Sequence, residues 1–198
     1  MAGSTLKIAL FPVGGREGRR PEREPTGRRP GGEVDHGILE RLQEDIPAIF
    51  TADIEVFPAV PLRDRHFVTS RGQYTADDIL DDFASIVPDE GTVILGVTEA
   101  DLYSPGLNFV FGIANRGRAL ISTFRLRPEF YSHKGNSEVF RRRVLVEAVH
   151  EIGHALGLSH CEYPGCVMYF SNRIGDTDRK GPGFCFRCAR ALERLMAG

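Results

Sequence analysis

Apolar positions recur along this chain with two different periods, and the switches between them predict the order of elements. Leu6 to Val13 is a compact run of β-branched and other apolar residues and predicts a first, internal strand. The pattern then disappears. Residues 14–32 read GGREGRRPEREPTGRRPGG, with six Arg, three Glu and no large apolar side chain, which predicts a flexible Arg/Gly/Pro-rich loop outside any core. Ile38, Leu39, Leu42 and Ile46 restore helical spacing until Pro47 stops it, so residues 34–46 read as an amphipathic helix. A short strand is expected at 53–57, and the mixed, polar stretch 58–74 reads as surface loop. Thr75 with Asp78 three positions later has the form of a capping box. It would open a helix carrying Ile79, Leu80, Phe83, Ile86 and Val87 before Pro88.

Further strands are expected at 92–97, 107–114 and 119–124, the last two joined by the polar turn Asn115-Arg116-Gly117-Arg118. Asn136 or Ser137 can cap a long helix running to about Leu156, where Gly157 supplies the residue that ends it. Cys188, Ala191, Leu192 and Leu195 keep helical spacing in a terminal helix from about Phe186. Strands separated by helices run parallel, whereas a close turn joins antiparallel neighbours. The expected fold is therefore α/β (α+β): a mixed, mostly parallel twisted sheet with one antiparallel edge strand, packed by the long helix. Residues 1–157 would form one subdomain and 158–198 a small C-terminal one.

At 198 residues and 41% hydrophobic the chain can bury a sizeable core. Its net charge of −2 gives no field that attracts nucleic acid or a membrane surface. No run of about 18 apolar residues is present, so no membrane span is expected. A cytoplasmic location is expected because the apolar run at 5–12 is too short for a signal segment and has no small-residue cleavage site behind it, and a monomer without a nucleic-acid partner because no coiled-coil, exposed apolar stripe or net basic balance is evident.

Chemistry is concentrated between His150 and Cys188, where three of the six His and all four Cys fall. His150 and His154 stand one helical turn apart, about 40° from each other around the axis, and can bite one ion. Glu151, about 100° further round, can reach a water beside that ion without ligating it. Gly157 lets the backbone reverse so that His160 returns as a third ligand, leaving one position open, the catalytic form of a zinc site. Cys161, Cys166, Cys185 and Cys188 would close a second, structural zinc site, with no position left open. His66 has no partner at ligand spacing and reads as a bystander. Tyr163 and Tyr169 are near enough in sequence to stabilise an oxyanion, but no spacing selects either.

The motif from His150 to His160, with its cysteines and with Met168 between them, resembles the metzincin clan of zinc peptidases and specifically the archaemetzincins. That resemblance implies a catalytic Zn2+ on His150, His154 and His160, with Glu151 as general base and acid toward a peptide substrate. It also implies Met168 in a turn beneath that metal and a second Zn2+ on the cysteines. The substrate would lie extended along the edge strand near 107–114. Two other readings are a zinc-stabilised interaction module with an idle or blocked site, and a nucleic-acid module built on the Arg-rich 14–32 segment. The same segment, as an arm over the cleft mouth, would restrain an intracellular peptidase.

Overall fold

Successive residues of the first strand point to opposite sides, and both sides are buried. Leu6, Ile8 and Leu10 enter one core, while Ala9, Phe11 and Val13 enter another. Near-continuous apolar character is what a strand covered on both faces requires. The computed structural model describes residues 5–16, 31–86, 89, 91–131 and 133–197. In chain order its elements are β1 (Leu6–Arg16), α1 (His36–Asp45), β2 (Ala52–Val56), β3 (Val60–Leu62), β4 (Phe67–Val68), β5 (Gln73–Thr75), α2 (Ala76–Asp82), β6 (Thr92–Thr98), β7 (Leu102–Tyr103), β8 (Gly112–Asn115), β9 (Arg118–Ser122), α3 (Ser137–Ala155), α4 (Ile174–Arg179) and α5 (Phe186–Ala197).

The main sheet runs β2-β1-β6-β9-β8, with β3 beside the end of β1. β2, β3, β6 and β9 extend it in parallel, and β8 alone is antiparallel, paired with β9 through Ile113↔Leu120 and Ala114↔Ala119. The expected mostly parallel sheet with one antiparallel edge strand is therefore present. Its two faces carry separate cores. α1 and α3 cover the face with Val93, Leu95 and Ile121, while α2 covers the face with Ile94 and Leu120. A second, three-stranded sheet, β4-β5-β7, lies beyond α2's start.

Several expectations are corrected. β1 does not stop at Val13 but continues through Arg16, because β3 offers backbone partners at Val13↔Val60 and Arg16↔Leu62. The ends of the Arg-rich segment meet, with Gly15 N donating to Gly31 O at 3.1 Å. Residues 17–30, and with them the arm expected over the cleft, lie outside the described residues. Residues 58–74 are not surface loop. They supply β3, β4 and most of β5, and Leu62, His66, Gln73 and Tyr74 are buried. Strands of two or three residues are too short to show an alternation. Buried Gln73 is satisfied by Asp101 Oδ2, Leu102 O and Asn108 O, a pairing that composition cannot reveal.

Thr75 occupies the N-cap position of α2 without capping it. Its hydroxyl turns instead to His66 O, just before β4, and to Tyr103 Oη on β7. α2 is also shorter than expected and gives way to a 3-10 turn at Phe83–Ser85. Strand character begins only at Gly112, not at 107. Residues 107–111 are held as a loop because side chains take their carbonyls: Arg71 Nη2 donates to Leu107 O and Asn108 O at 3.1 and 3.0 Å. Arg125 stacks over Phe109 at 4.4 Å while forming a bidentate pair with Asp101.

α3 starts as expected, Asn136 Oδ1 accepting from the N–H groups of Glu138 and Val139. The helix is buried on nearly every side, between the sheet and the segment that follows it. Two of its arginines tie it to α4, which had no sequence signal. Arg143 grips Asp178 through two 2.7 Å bonds, and Arg142 donates to the carbonyls of Asp178 and Lys180.

Candidate metal centre and cleft

The side chains of His150, His154 and His160 converge, their ligand-capable nitrogens all within 4.8 Å of one another. α3 supplies the first two from adjacent turns. Gly157, at φ 100°, then reverses the chain, a backbone conformation only glycine adopts without strain. The reversal has a second effect. It turns Leu158 O back over the helix end, where it accepts from His154 Nδ1 at 2.8 Å. Val167 O accepts from His150 Nδ1 at 2.7 Å in the same way. A carbonyl can only accept, so both Nδ1 atoms carry the proton and both Nε2 atoms present lone pairs.

Those two lone pairs face each other, with Nε2 of His150 and His154 3.2 Å apart. Neither can donate to the other, and burial pushes all three imidazoles below their usual range and toward the neutral form. Two acceptors held in contact need a cation between them. A tetrahedral metal with bonds of about 2.0 Å sets its nitrogen ligands ~3.3 Å apart, close to the spacing here. The residues fit a zinc ion, and the backbone carbonyls at each Nδ1 are the orienting partners such a site requires.

Met168 is fully buried beneath α3. A Cβ on Gly153 would stand 2.5 Å from its Sδ, so the glycine lets the sulfur lie against the helix backbone. The turn around Met168 carries much else. Cys161 N donates to Met168 O at 2.9 Å, and Cys166 and Val167 precede it. Lys180, 0% exposed, donates from Nζ to Tyr169 O at 2.9 Å. The same Nζ stands 3.3 Å from His150 Nδ1, but that nitrogen already commits its proton to Val167, so the directed bond is the one to Tyr169.

The four cysteines converge beside this turn as free thiols, their sulfurs all within 4.8 Å. Cys161 Sγ and Cys185 Sγ are 3.8 Å apart, far beyond a disulfide and equal to the ~3.8 Å edge of a tetrahedron with metal–sulfur bonds of about 2.3 Å. Backbone N–H groups are aimed at the sulfurs, Cys185 N at Cys166 Sγ (3.3 Å) and Tyr163 N at Cys161 Sγ (3.4 Å). Such bonds favour thiolate, and the Cys188 backbone is the main cause that brings Cys185 down to about 7. Burial pushes Cys166 and Cys188 the other way. This donor set also fits a zinc ion, with no room for a further ligand.

The histidines open onto a cleft of about 540 Å³. One wall is the loop 107–111 with β8, the other is Phe170, Ser171 and Asn172, and Glu147 and Glu151 stand between them. Both carboxylates are only 4% exposed. Burial, reinforced by the charge of Glu147, drives Glu151 well above the usual carboxyl range, and Lys180 opposes this. Neither Tyr163 nor Tyr169 lines the cleft, and Tyr163 lines a separate groove beside the cysteines. His66 belongs to neither metal-capable group.

Sequence reasoning missed Glu147, Lys180 and Gly112. Glu147 could have been found from its spacing, one turn before Glu151. Lys180 is one of three lysines in a chain with 22 arginines. Gly112 is legible only in three dimensions. A Cβ there would fall 2.6 Å from Glu151 Cγ and 2.8 Å from Oε1. Gly112→Ala is accordingly expected to displace Glu151 and to lower kcat at least tenfold while metal content stays at the wild-type level, measured by turnover and elemental analysis.

The model of peptidase family M54 matches residues 47–194. Archaemetzincin from Methanocaldococcus jannaschii is 43% identical over 167 residues, covering 83% of this chain and 90% of that protein. The chain belongs to the archaemetzincins, peptidase family M54. As an archaemetzincin it is a zinc metallopeptidase, a hydrolase of peptide bonds. The fold agrees with solved members. The Archaeoglobus fulgidus archaemetzincin, crystallised with malonate, superposes with a TM-score of 0.73 at 38% identity, over 93% of this chain and 99% of that one. That from Methanopyrus kandleri gives 0.78 at 33% identity, over 100% and 99%.

Proposed function

We propose that the cleft is the peptidase active site, with one zinc on His150, His154 and His160, Glu151 as general base and then acid, and a second, structural zinc on Cys161, Cys166, Cys185 and Cys188. The observation that carries this reading is the pair of imidazole Nε2 lone pairs held 3.2 Å apart beside a buried glutamate that lines the same cleft. His150, His154 and His160 would hold the zinc ion, which when bound would supply a Lewis acid for the scissile carbonyl and for water. Glu151, whose carboxyl is held above its usual range by burial, would accept a proton from the attacking water and return it to the leaving amine. β8 ends the main sheet, and its free edge can pair with a peptide laid out in extended form. Ile113 on that strand and Phe109 before it, both only partly buried, line the same cleft and would meet the substrate's side chains.

Family membership favours this enzyme over an interaction module. We place the catalytic half in residues 1–157 and the cysteine-bound half in 158–198, with Met168 supporting the helix between them. Among the described residues no helix is long and apolar enough to cross a membrane. Four unpaired thiols are consistent with a reducing cytoplasm, and the net charge of −2 with the absence of a nucleic-acid partner. A monomer is the proposed state.

Elemental analysis tests the metal assignment. The native protein is expected to hold two zinc ions per chain, His150→Ala/His154→Ala to lose one while keeping the other, and a cysteine-site variant to show the converse. A native protein with one zinc, lost only with the cysteines, would remove the catalytic assignment.

A further inference from the structure

Glu147 is buried, lines the cleft and has no task in the chemistry assigned above. Its Oε2 is sealed from solvent and has no hydrogen-bond partner. A buried carboxylate left in that condition costs free energy unless something else completes it. Burial pushes the Glu147 carboxyl above its usual range, and the charge of Lys180 opposes this without pairing with it. Among the described residues no ion pair within 4.0 Å joins Lys180 to Glu147 or Glu151, and the Lys180 ammonium makes its bond to Tyr169 O.

The surroundings narrow the choice of partner. Among the described residues, no Lys or Arg lines the cleft. Among the described residues, the titratable groups of the lining are two glutamates and the three histidines. Glu147 stands a full turn, ~6 Å, before Glu151 along α3. Apolar wall residues, Phe109, Val110 and Phe111, flank the same cleft and suit the methylene stem of a long cationic side chain whose head seeks a carboxylate.

We infer that Glu147 is a specificity residue, and that the cleft selects peptides carrying Lys or Arg next to the scissile bond. This rests on the peptidase reading of the cleft, and it adds the substrate class. An arriving ammonium or guanidinium pairs with the carboxyl group from the cleft that Glu147 lines, rotation about the last side-chain bond bringing the buried oxygen into reach, and an acidic side chain at that place is disfavoured beside the two glutamates.

Binding separates this inference from the peptidase reading. Zinc-loaded Glu151→Gln protein, which retains substrate without turning it over, is titrated with peptides that differ only at the residues flanking the intended cut: Lys, Arg, norleucine or Glu. Each peptide is prepared with a free and with an acetylated N-terminus. The Lys and Arg peptides are expected to bind about tenfold or more tighter than the norleucine peptide whether or not the N-terminus is acetylated. In Glu147→Gln/Glu151→Gln protein that ratio is expected to fall to within twofold, with Glu147→Ala giving the same loss in a differently packed side chain. An unaltered ratio in both variants, no preference for Lys and Arg, or a preference that vanishes on acetylation would overturn the inference. The last result would identify an N-terminal amine as the bound cation. Selective binding with no cleavage by wild-type protein would instead sink the peptidase reading and leave the role of Glu147 standing.

Discussion

Glu151→Gln is expected to lower kcat/KM by about 10³-fold while leaving zinc content unchanged. The substitution keeps the shape of the side chain, so its close contact with Gly112 and the packing of α3 survive. It removes only the capacity to accept and return a proton. Glu151 is not one of the residues whose donor atoms converge at the histidines, so the metal should remain. The loss should fall on kcat, because no ground-state contact to the peptide backbone is assigned to this carboxylate. Steady-state kinetics together with elemental analysis decide it. Activity within tenfold of wild type would show that the base lies elsewhere, and loss of zinc would show that Glu151 is a ligand.

Removing half of the cysteine site should have the other large effect, and it should reach the histidines. In Cys185→Ser/Cys188→Ser protein one zinc is expected to be lost and the melting temperature to fall by about 10 °C, the shift that ~3 kcal/mol produces in a chain of this length. The route to the active site is short. His160 and Cys161 are adjacent in sequence. Cys166 sits next to Val167, whose carbonyl sets the His150 tautomer, and Met168 O accepts from Cys161 N. Freeing Cys166 from its cluster loosens the turn that orients His150 and supports α3. A weakening of zinc at the histidines by about 10- to 100-fold is expected, the usual consequence of losing an orienting partner. Competition with a chelator measures it. Wild-type activity and zinc retention in the double variant would refute the coupling.

The same turn shows where a sequence reading reaches its limit. His150, Glu151, His154 and Gly157 lie within one helix and its end, so 3.6-residue periodicity and the glycine rule predict their relation directly. The main strands were legible for a similar reason, since β1, β6 and β9 are buried on both faces and read as apolar runs. The small sheet was not, because two- and three-residue strands show no period and their buried polar groups, Gln73 and Thr75, find partners far along the chain. Thr75 is the instructive failure. Its spacing to Asp78 satisfied a local rule, and a tertiary partner outcompeted it.

Local pattern, then, specifies which elements form, which residues can ligate and which glycine ends the helix, since each depends on neighbours within about one turn. Tertiary structure alone decides what surrounds them. It seats Val167 O and Leu158 O against the two imidazoles, buries Lys180 behind the cleft, brings Gly112 against Glu151 and leaves Glu147 without a partner. Each of these contacts except that of Leu158 joins residues at least 17 positions apart, or reports a missing partner, and burial sets its strength. No periodicity encodes a distance of that kind, because it exists only once the sheet, α3 and the turn at Met168 have packed together.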